Sequence, residues 1–201
     1  MNKLVEGIGF NDNKYQVFVK GEITKYYKLW QSMLHRCTGK EWERHPTYAG
    51  TSCSENFKSY SFFYEWCHNQ IGFDKRDDKG RAWHLDKDLL IKGNKLYSED
   101  NCVFVPQRIN SLLTKMKASR GKYPIGVRLS RCKSATRFDA RCGNCSGESK
   151  HLGCYGTPEE AFQAYKTYKE AYIKEVANEY CAQLDPRAYQ ALMSYEVNIN
   201  D

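Results

Sequence analysis

Polar and apolar residues alternate at the start of the chain, a spacing typical of a β-strand. Over residues 1 to about 25, Tyr15, Val17 and Val19 alternate with Gln16, Phe18 and Lys20, and Gly21 marks a turn. The pattern predicts a short β arm at the N-terminus.

From Tyr26 the apolar spacing becomes helical and predicts a helix to about residue 37. Its apolar stripe consists of Tyr27, Trp30, Leu34 and Cys37. Residues 39–56 carry Gly and Pro signals and are expected to form a loop. A dense aromatic helix face follows over residues 57–67. Both stripes are interpreted as core.

The segment from Trp83 to Asn110 predicts a strand, a loop, a second strand and a helix. Three polar side chains share one face of the first strand by alternation: His84, Asp86 and Asp88. A turn signal lies at residues 92–95, a β-branched run at 103–105, and a helix start at Pro106. Carboxylates on the strand would face an Asn on the helix, and such oxygen ligands suit one Mg²⁺. The other interpretation is surface carboxylates beside a turn.

From Tyr123 three short runs predict three strands, at 125–129, 137–142 and 150–155. A helix should follow, with Thr157 as N-cap, Pro in its first position and Glu three residues after the cap. Its apolar spacing continues to about residue 180. The residues after Asp185-Pro186 are expected to form a short helix and a frayed tail.

One face of such a sheet must cover the helix, which leaves the other face exposed. The candidates for the exposed face are basic: Arg128, Arg137, Arg141 and Lys150. Arg120 and Lys122 belong to a basic segment that either neutralises DNA phosphates or is an ordinary solvated linker.

These elements predict an α+β chain with two domains. The first domain is assigned to residues 1–116, a basic linker to 117–122, a sheet-and-helix domain to 123–184, and a C-terminal tail to 185–201.

The charge of the chain suggests an anionic partner. Its 31 Lys and Arg against 24 Asp and Glu give a formal charge of +7, and nucleic acid is the commonest partner of such a surface. A merely soluble basic protein is the alternative. Apolar runs of membrane-spanning length and a signal peptide are absent from the sequence, so we expect a cytoplasmic protein that does not bind membranes.

The chain has nine Cys, an odd number that favours reduced thiols or metal ligands over a disulfide frame. Four of them lie in the C-terminal part: Cys132, Cys142, Cys145 and Cys154. The spacing of Cys142 and Cys145 is that of a zinc knuckle. We expect these thiols to be reduced and partly buried, with no stoichiometric zinc.

The C-terminal part resembles the AP2 DNA-binding domain. The resemblance rests on Gly126-Val127-Arg128, Arg137-Phe138-Asp139-Ala140, His151-Leu152-Gly153 and Thr157-Pro158-Glu159-Glu160-Ala161. It implies a three-stranded antiparallel sheet packed on one helix, whose open face enters the DNA major groove and reads bases with Arg and aromatic side chains. Leu129 or Ser130 stands where the family has Trp, so base specificity stays open.

The central segment resembles the HNH, or His-Me finger, nucleases, especially the phage-encoded type that carries AP2 domains. The matching residues are Leu85-Asp86-Lys87-Asp88, Gly93-Asn94-Lys95, Tyr97-Ser98-Glu99-Asp100-Asn101-Cys102 and Val105-Pro106-Gln107-Arg108-Ile109-Asn110. The resemblance implies a ββα-metal fold in which Asp86 and Asn110 bind one Mg²⁺ or Mn²⁺. Asn101 would brace the loop by hydrogen bonds.

The chain departs from the HNH family at the general base. Lys87 stands where the family has His. His84 or Asp88, on the strand face of Asp86, are the alternative bases, or the metal activates water with little help.

The two resemblances together imply a site-specific homing endonuclease that hydrolyses double-stranded DNA, in the bacterial host cytoplasm if phage-encoded. A small-molecule substrate is not expected. The rivals are a DNA-binding regulator with a degenerate nuclease domain, which Lys87 favours, and an RNA-binding or structural protein. The sequence leaves open the recognition site, nicking against double-strand cleavage, and the oligomeric state.

Overall fold

The structure, a computed structural model, describes residues 4–114, 122–130, 137–144 and 148–201, without the side chain of Lys40. It is an α+β structure whose described strands form three two-stranded sheets and one three-stranded sheet. The predictions for Arg120, Cys132, Cys145 and most of the linker lie outside the described residues.

The chain divides into two units. One comprises Met1–Arg76 with Trp83–Val105, and the other comprises Asp77–Ala82 with Pro106–Asp201. The domains predicted from the sequence differ from these units, because the first domain was expected to include Asp77–Ala82 and the residues that follow Val105.

The first unit begins with the predicted arm and helix. Strands β1 (Phe18–Val19) and β2 (Glu22–Ile23) form an antiparallel hairpin that turns at Gly21, whose φ is +82°. Helix α1 (Lys25–Arg36) follows, and the Thr24 side chain caps it by accepting the N–H of Tyr27. The period of the apolar residues therefore placed both elements correctly.

The expectation that residues 39–56 form only a loop is wrong. They contain helix α2 (Gly39–Arg44) and a 3₁₀ turn at Pro46–Tyr48. The Trp42 indole Nε1 donates to the carbonyl of Arg36 at 3.1 Å. This hydrogen bond to the end of α1 stabilises a short helix that the Gly and Pro residues of the segment did not predict.

The core of the first unit is aromatic. Helix α3 (Tyr60–His68) turns Tyr60 and Phe63 inward, where they are buried. Trp30 of α1 is fully buried, and its indole N–H donates to the carbonyl of Phe57 at 2.8 Å. The aromatic stripes are core, as interpreted from the sequence.

Four short strands complete the first unit. Strand β3 (Ser52–Cys53) pairs in parallel with β5 (Leu96–Tyr97). Strand β4 (His84–Asp86) pairs antiparallel with β6 (Val103–Val105). The predicted strand–loop–strand is therefore confirmed, with a loop interrupted by a strand that pairs elsewhere.

The second unit contains helix α4 (Gln107–Leu112) and a sheet that pairs in the order β7 (Val127–Leu129), β8 (Phe138–Gly143) and β9 (Ser149–Tyr155). Both pairings are antiparallel. Helix α5 (Pro158–Glu179) starts at the predicted capping box and covers one face of the sheet. The buried cluster between them comprises Val127, Phe138, Ala140, Cys142, Ala161, Phe162, Tyr165 and Val197.

The expectation of a frayed C-terminal tail is wrong. After helix α6 (Pro186–Met193), Val197 enters the sheet–helix core and is 4% exposed. Its backbone N–H donates to Glu170 at 2.8 Å, and its carbonyl accepts from Lys166 at 2.9 Å. The buried Val197 side chain and two hydrogen bonds of its backbone thus fix a segment that lacks periodicity.

Candidate functional site: a buried carboxylate and a basic sheet face

Asp86 lies at the end of β4 in the first unit and is 9% exposed. Its Oδ1 accepts the backbone N–H groups of Asp88 and Leu89, at 2.9 and 2.8 Å. The carboxylate thereby turns the chain out of the strand, and these two bonds restrict its rotation.

The environment of Asp86 disfavours its negative charge. Burial, followed by the nearby Asp88 carboxylate, raises the pKa of Asp86 from 3.8 to about 6, although the two backbone hydrogen bonds oppose the shift. A divalent cation would compensate a carboxylate of this kind better than water does here. Burial and charge are thus compatible with a metal ligand, and that role of Asp86 stays a prediction.

Strand alternation does not extend to Asp88. Strand β4 ends at Asp86, so His84 and Asp86 share a strand face, whereas Asp88 lies in the loop with its side chain 52% exposed. The prediction that Asp88 shares that face because the strand continues is wrong, since the hydrogen bonds of Asp86 bend the chain.

Lys87 is buried. Its ammonium lies 3.7 Å from Asp88 Oδ2 and 5.7 Å from the centre of the Tyr97 ring. The aromatic ring and the aspartate together stabilise this cation in a site with little water. The residue that stands where the HNH family has His is thus buried, although β4 ends before it, so strand alternation does not explain its position.

Asn94 braces the loop between β4 and β6. Its Nδ2 donates to the carbonyls of Lys87 and Leu96, at 2.6 and 2.7 Å, and its Oδ1 accepts the N–H of Leu96. Among the residues with described positions, these side-chain bonds come from Asn94 and not from Asn101, which corrects the expectation for Asn101. The backbone N–H of Asn101 donates to Ser98 in the following turn. In the sequence, Asn94 belonged to the turn signal at residues 92–95 and to the Gly93-Asn94-Lys95 match, but neither indicated a bracing role.

Asn110 lies on α4, in the second unit, whereas Asp86 lies in the first. Its role as the second metal ligand stays a prediction.

The face of the sheet opposite α5 carries several predicted DNA-binding residues. Phe138, Ala140 and Cys142 of β8 face the core, so Asp139 and Arg141 point to the other face. Arg128 pairs with Asp139 in the strand register, and its Nε lies 3.5 Å from Asp139 Oδ2.

Arg141 and Arg137 follow the same alternation. Arg141 is half-buried, and its Nε is enclosed without a hydrogen-bond partner in the described part of the chain. Arg137 is exposed directly before β8. Lys122 is also exposed, with its ammonium 5.3 Å from the Tyr123 ring centre.

The expected placement of Lys150 on the open face is wrong. A β-bulge shifts the register of β9, so that Cys142, a core residue, pairs with Lys150, and Arg141 pairs with His151. The Lys150 ammonium lies 4.7 Å from the centre of the Tyr168 ring on α5. The extra residue of the bulge reverses which side chains face the helix.

The cysteines of this sheet lie on different faces. Cys142 is 2% exposed in the core, whereas Cys154, paired with Asp139, lies on the open face. The sheet therefore does not direct these two thiols to one tetrahedral site.

Comparisons with family models, curated proteins and solved structures found no match to this chain. Every helix in the described ranges is too short or too polar to cross a lipid bilayer.

Proposed function

We propose that this chain is a metal-dependent, site-specific DNA endonuclease of the HNH type whose second unit holds DNA through an AP2-like sheet. The observation that carries the proposal is Asp86, a buried carboxylate fixed by two backbone N–H groups at the end of β4. Its strand partner β6 is followed directly by α4, which carries Asn110. This order of elements supports the resemblance to the ββα-metal fold.

The proposed reaction is hydrolysis of a phosphodiester bond. When bound, Mg²⁺ or Mn²⁺ would supply positive charge that offsets the negative charge developing on the phosphate and the leaving oxygen. Asp86 would hold this ion, and the resemblance to the HNH nucleases implies Asn110 as a second ligand. A side-chain base would take a proton from the water that attacks phosphorus in line.

The test of this function is plasmid cleavage by the full-length, reduced protein with Mg²⁺ or Mn²⁺ against the same protein in EDTA. We expect nicked or linear DNA only with metal. Duplex binding without cleavage in either metal would contradict the nuclease and favour a regulator with a degenerate domain. Preferential competition by single-stranded RNA would instead favour an RNA-binding protein.

The base should stand out in a single-turnover series at saturating metal. We expect one of His84→Ala, Lys87→Ala and Asp88→Ala to lower the cleavage rate by about 10²–10⁴-fold, the usual contribution of a general base. Lys87→Met keeps a long buried side chain and separates loss of the ammonium from loss of packing. Normal rates in all three alanine variants would show that the reaction uses no base among these residues.

The open face of the sheet should give DNA binding a steep salt dependence. Arg137→Gln with Arg141→Gln is expected to weaken duplex binding and to reduce the slope of log K against log salt by about 0.9 per lost phosphate contact. Lys150→Gln is the matched control, because Lys150 has the same charge but faces α5. Binding titrations at several salt concentrations measure the affinity and the salt slope of each variant. Equal slopes for the double Arg variant and the unchanged chain would show that this face of the sheet does not contact DNA.

A further inference from the structure

We infer that Asp139, His151 and Cys154 form a binding site for one transition-metal ion of the zinc class on the open face of the sheet. The ligand-forming atoms of these three side chains all lie within 4.8 Å of one another. All three residues belong to the second unit, and the inference does not depend on the proposed nuclease function.

The distances between the three ligand atoms are close to those of a zinc site. Cys154 Sγ lies 3.0 Å from Asp139 Oδ1 and 3.7 Å from His151 Nε2, and Nε2 lies 3.8 Å from Oδ1. Tetrahedral coordination with ordinary zinc–ligand bond lengths places such atoms about 3.3–3.6 Å apart. Shifts of a few tenths of an ångström would therefore complete three of four positions, leaving the fourth for water.

The backbone places these residues on one face by means of the β-bulge. His151 and Cys154 are three residues apart, so in a regular strand they would point to opposite faces. The register shift pairs Cys154 with Asp139 and His151 with Arg141, which brings both onto the open face. The bulge thus assembles a ligand set that strand periodicity would separate.

Neighbouring side chains orient the carboxylate. Oδ1 of Asp139 faces the thiol and the imidazole, whereas Oδ2 lies 3.5 Å from Arg128 Nε. The Ser130 side chain also interacts with both Asp139 and Cys154. Such outer contacts fix the orientation of a ligand and favour a single-oxygen contact with the ion.

The ligand types select the ion. A thiolate with an imidazole suits zinc and related ions, whereas Mg²⁺ takes oxygen ligands. The Cys154 thiol donates a hydrogen bond to Asp139 Oδ1, and the ion would replace the thiol proton. Binding of M²⁺ to a thiol, a neutral imidazole and a carboxylate releases one H⁺, so the local charge changes from −1 to 0.

This inference differs from the expectation of no zinc, which considered only a set of four thiols. The set proposed here uses one thiol and draws its other ligands from Asp139 and His151, which no cysteine spacing reveals.

Co²⁺ and Zn²⁺ titrations of the reduced, metal-stripped full-length chain test the site without DNA. We expect one ion per chain, with a thiolate-to-cobalt charge-transfer absorption that Zn²⁺ displaces. Cys154→Ser and His151→Gln should each weaken Zn²⁺ binding by more than about 100-fold, since loss of an orienting neighbour alone costs 10–100-fold. Cys181→Ser is the matched control, because Cys181 is another exposed thiol and should leave binding unchanged.

Absence of the charge-transfer band in the unchanged chain would overturn the site. So would a band that persists in Cys154→Ser, because the thiolate would then come from another cysteine. His151 is exposed, so His151→Gln should fold normally, which circular dichroism of the metal-free variant checks. Retention of full Zn²⁺ affinity by that variant would also overturn the proposed ligand set.

Discussion

Asp86→Asn is expected to abolish DNA cleavage and, in EDTA, to make the protein more stable. Cleavage should fall by at least about 10³-fold, because the variant loses a charged ligand to an ion worth several kcal/mol to the reaction. Asn keeps an oxygen that can accept the two backbone N–H groups now bound by Asp86. Duplex DNA binding through the second unit should be retained.

The gain in stability follows from the pKa of Asp86, which is raised from 3.8 to about 6 in the folded chain. A raised carboxyl pKa means that the folded state holds this proton more tightly than the unfolded state does. The protonated Asp86 carboxyl therefore adds to the stability of the fold at low pH, and this contribution is lost as pH rises from about 4 to about 6. The loss is roughly 3 kcal/mol, at 1.36 kcal/mol per pKa unit. Asp86→Asn should therefore be more stable than the unchanged chain at pH 8, with little difference near pH 4.

Urea unfolding in EDTA at the two pH values measures this difference. Asp78→Asn is the control, because Asp78 is an exposed aspartate and its substitution should change stability little at either pH. Normal cleavage by Asp86→Asn would place the active site elsewhere and refute the HNH assignment. Equal stability at pH 8 would show that the Asp86 carboxylate is not disfavoured in the folded chain.

Gly126→Ala is expected to destabilise the second unit by roughly 3 kcal/mol or more. Gly126 has a φ of +78°, and a Cβ there would overlap the ring of Tyr165. A left-handed conformation costs a non-glycine residue about 1–2 kcal/mol, and an overpacked core about 1–3 kcal/mol more. Thermal or urea unfolding measures the loss, and DNA binding should fall with the folded fraction.

Gly143→Ala is the matched control, since Gly143 lies in the same sheet and, among the described residues, a Cβ there meets no atom closer than 3.8 Å. It should change stability far less than Gly126→Ala. If the two variants were equally stable, the Tyr165 ring of α5 would not pack closely on Gly126, which directly precedes β7.

The sequence predicted the local elements well wherever a single period covers several turns or strands. Helix α1 follows its apolar stripe, and α5 begins at the capping box of Thr157 and Glu160. Both signals are local, because helix periodicity and capping depend on residues within one or two turns. Residues 39–44 were missed because one indole hydrogen bond, from Trp42, supports a helix whose own signals are weak.

The candidate sites were predicted only in part, because faces and partners depend on exact register. The pattern made Asp86 a candidate metal ligand, but its burial and the turn it stabilises come from the pairing of β4 with β6. Asn94 could not be chosen as the bracing residue, since its acceptors lie on Lys87 and Leu96.

The sequence by itself determined an α+β chain, a carboxylate-bearing strand followed by a helix, and a basic three-stranded sheet on one helix. Only the tertiary structure decided which residues face the same way. One inserted residue in β9 places Lys150 toward α5 and brings His151 beside Cys154 and Asp139. Side-chain alternation is local, but a bulge forms only when a neighbouring strand fixes the register, so no period along the chain reveals it.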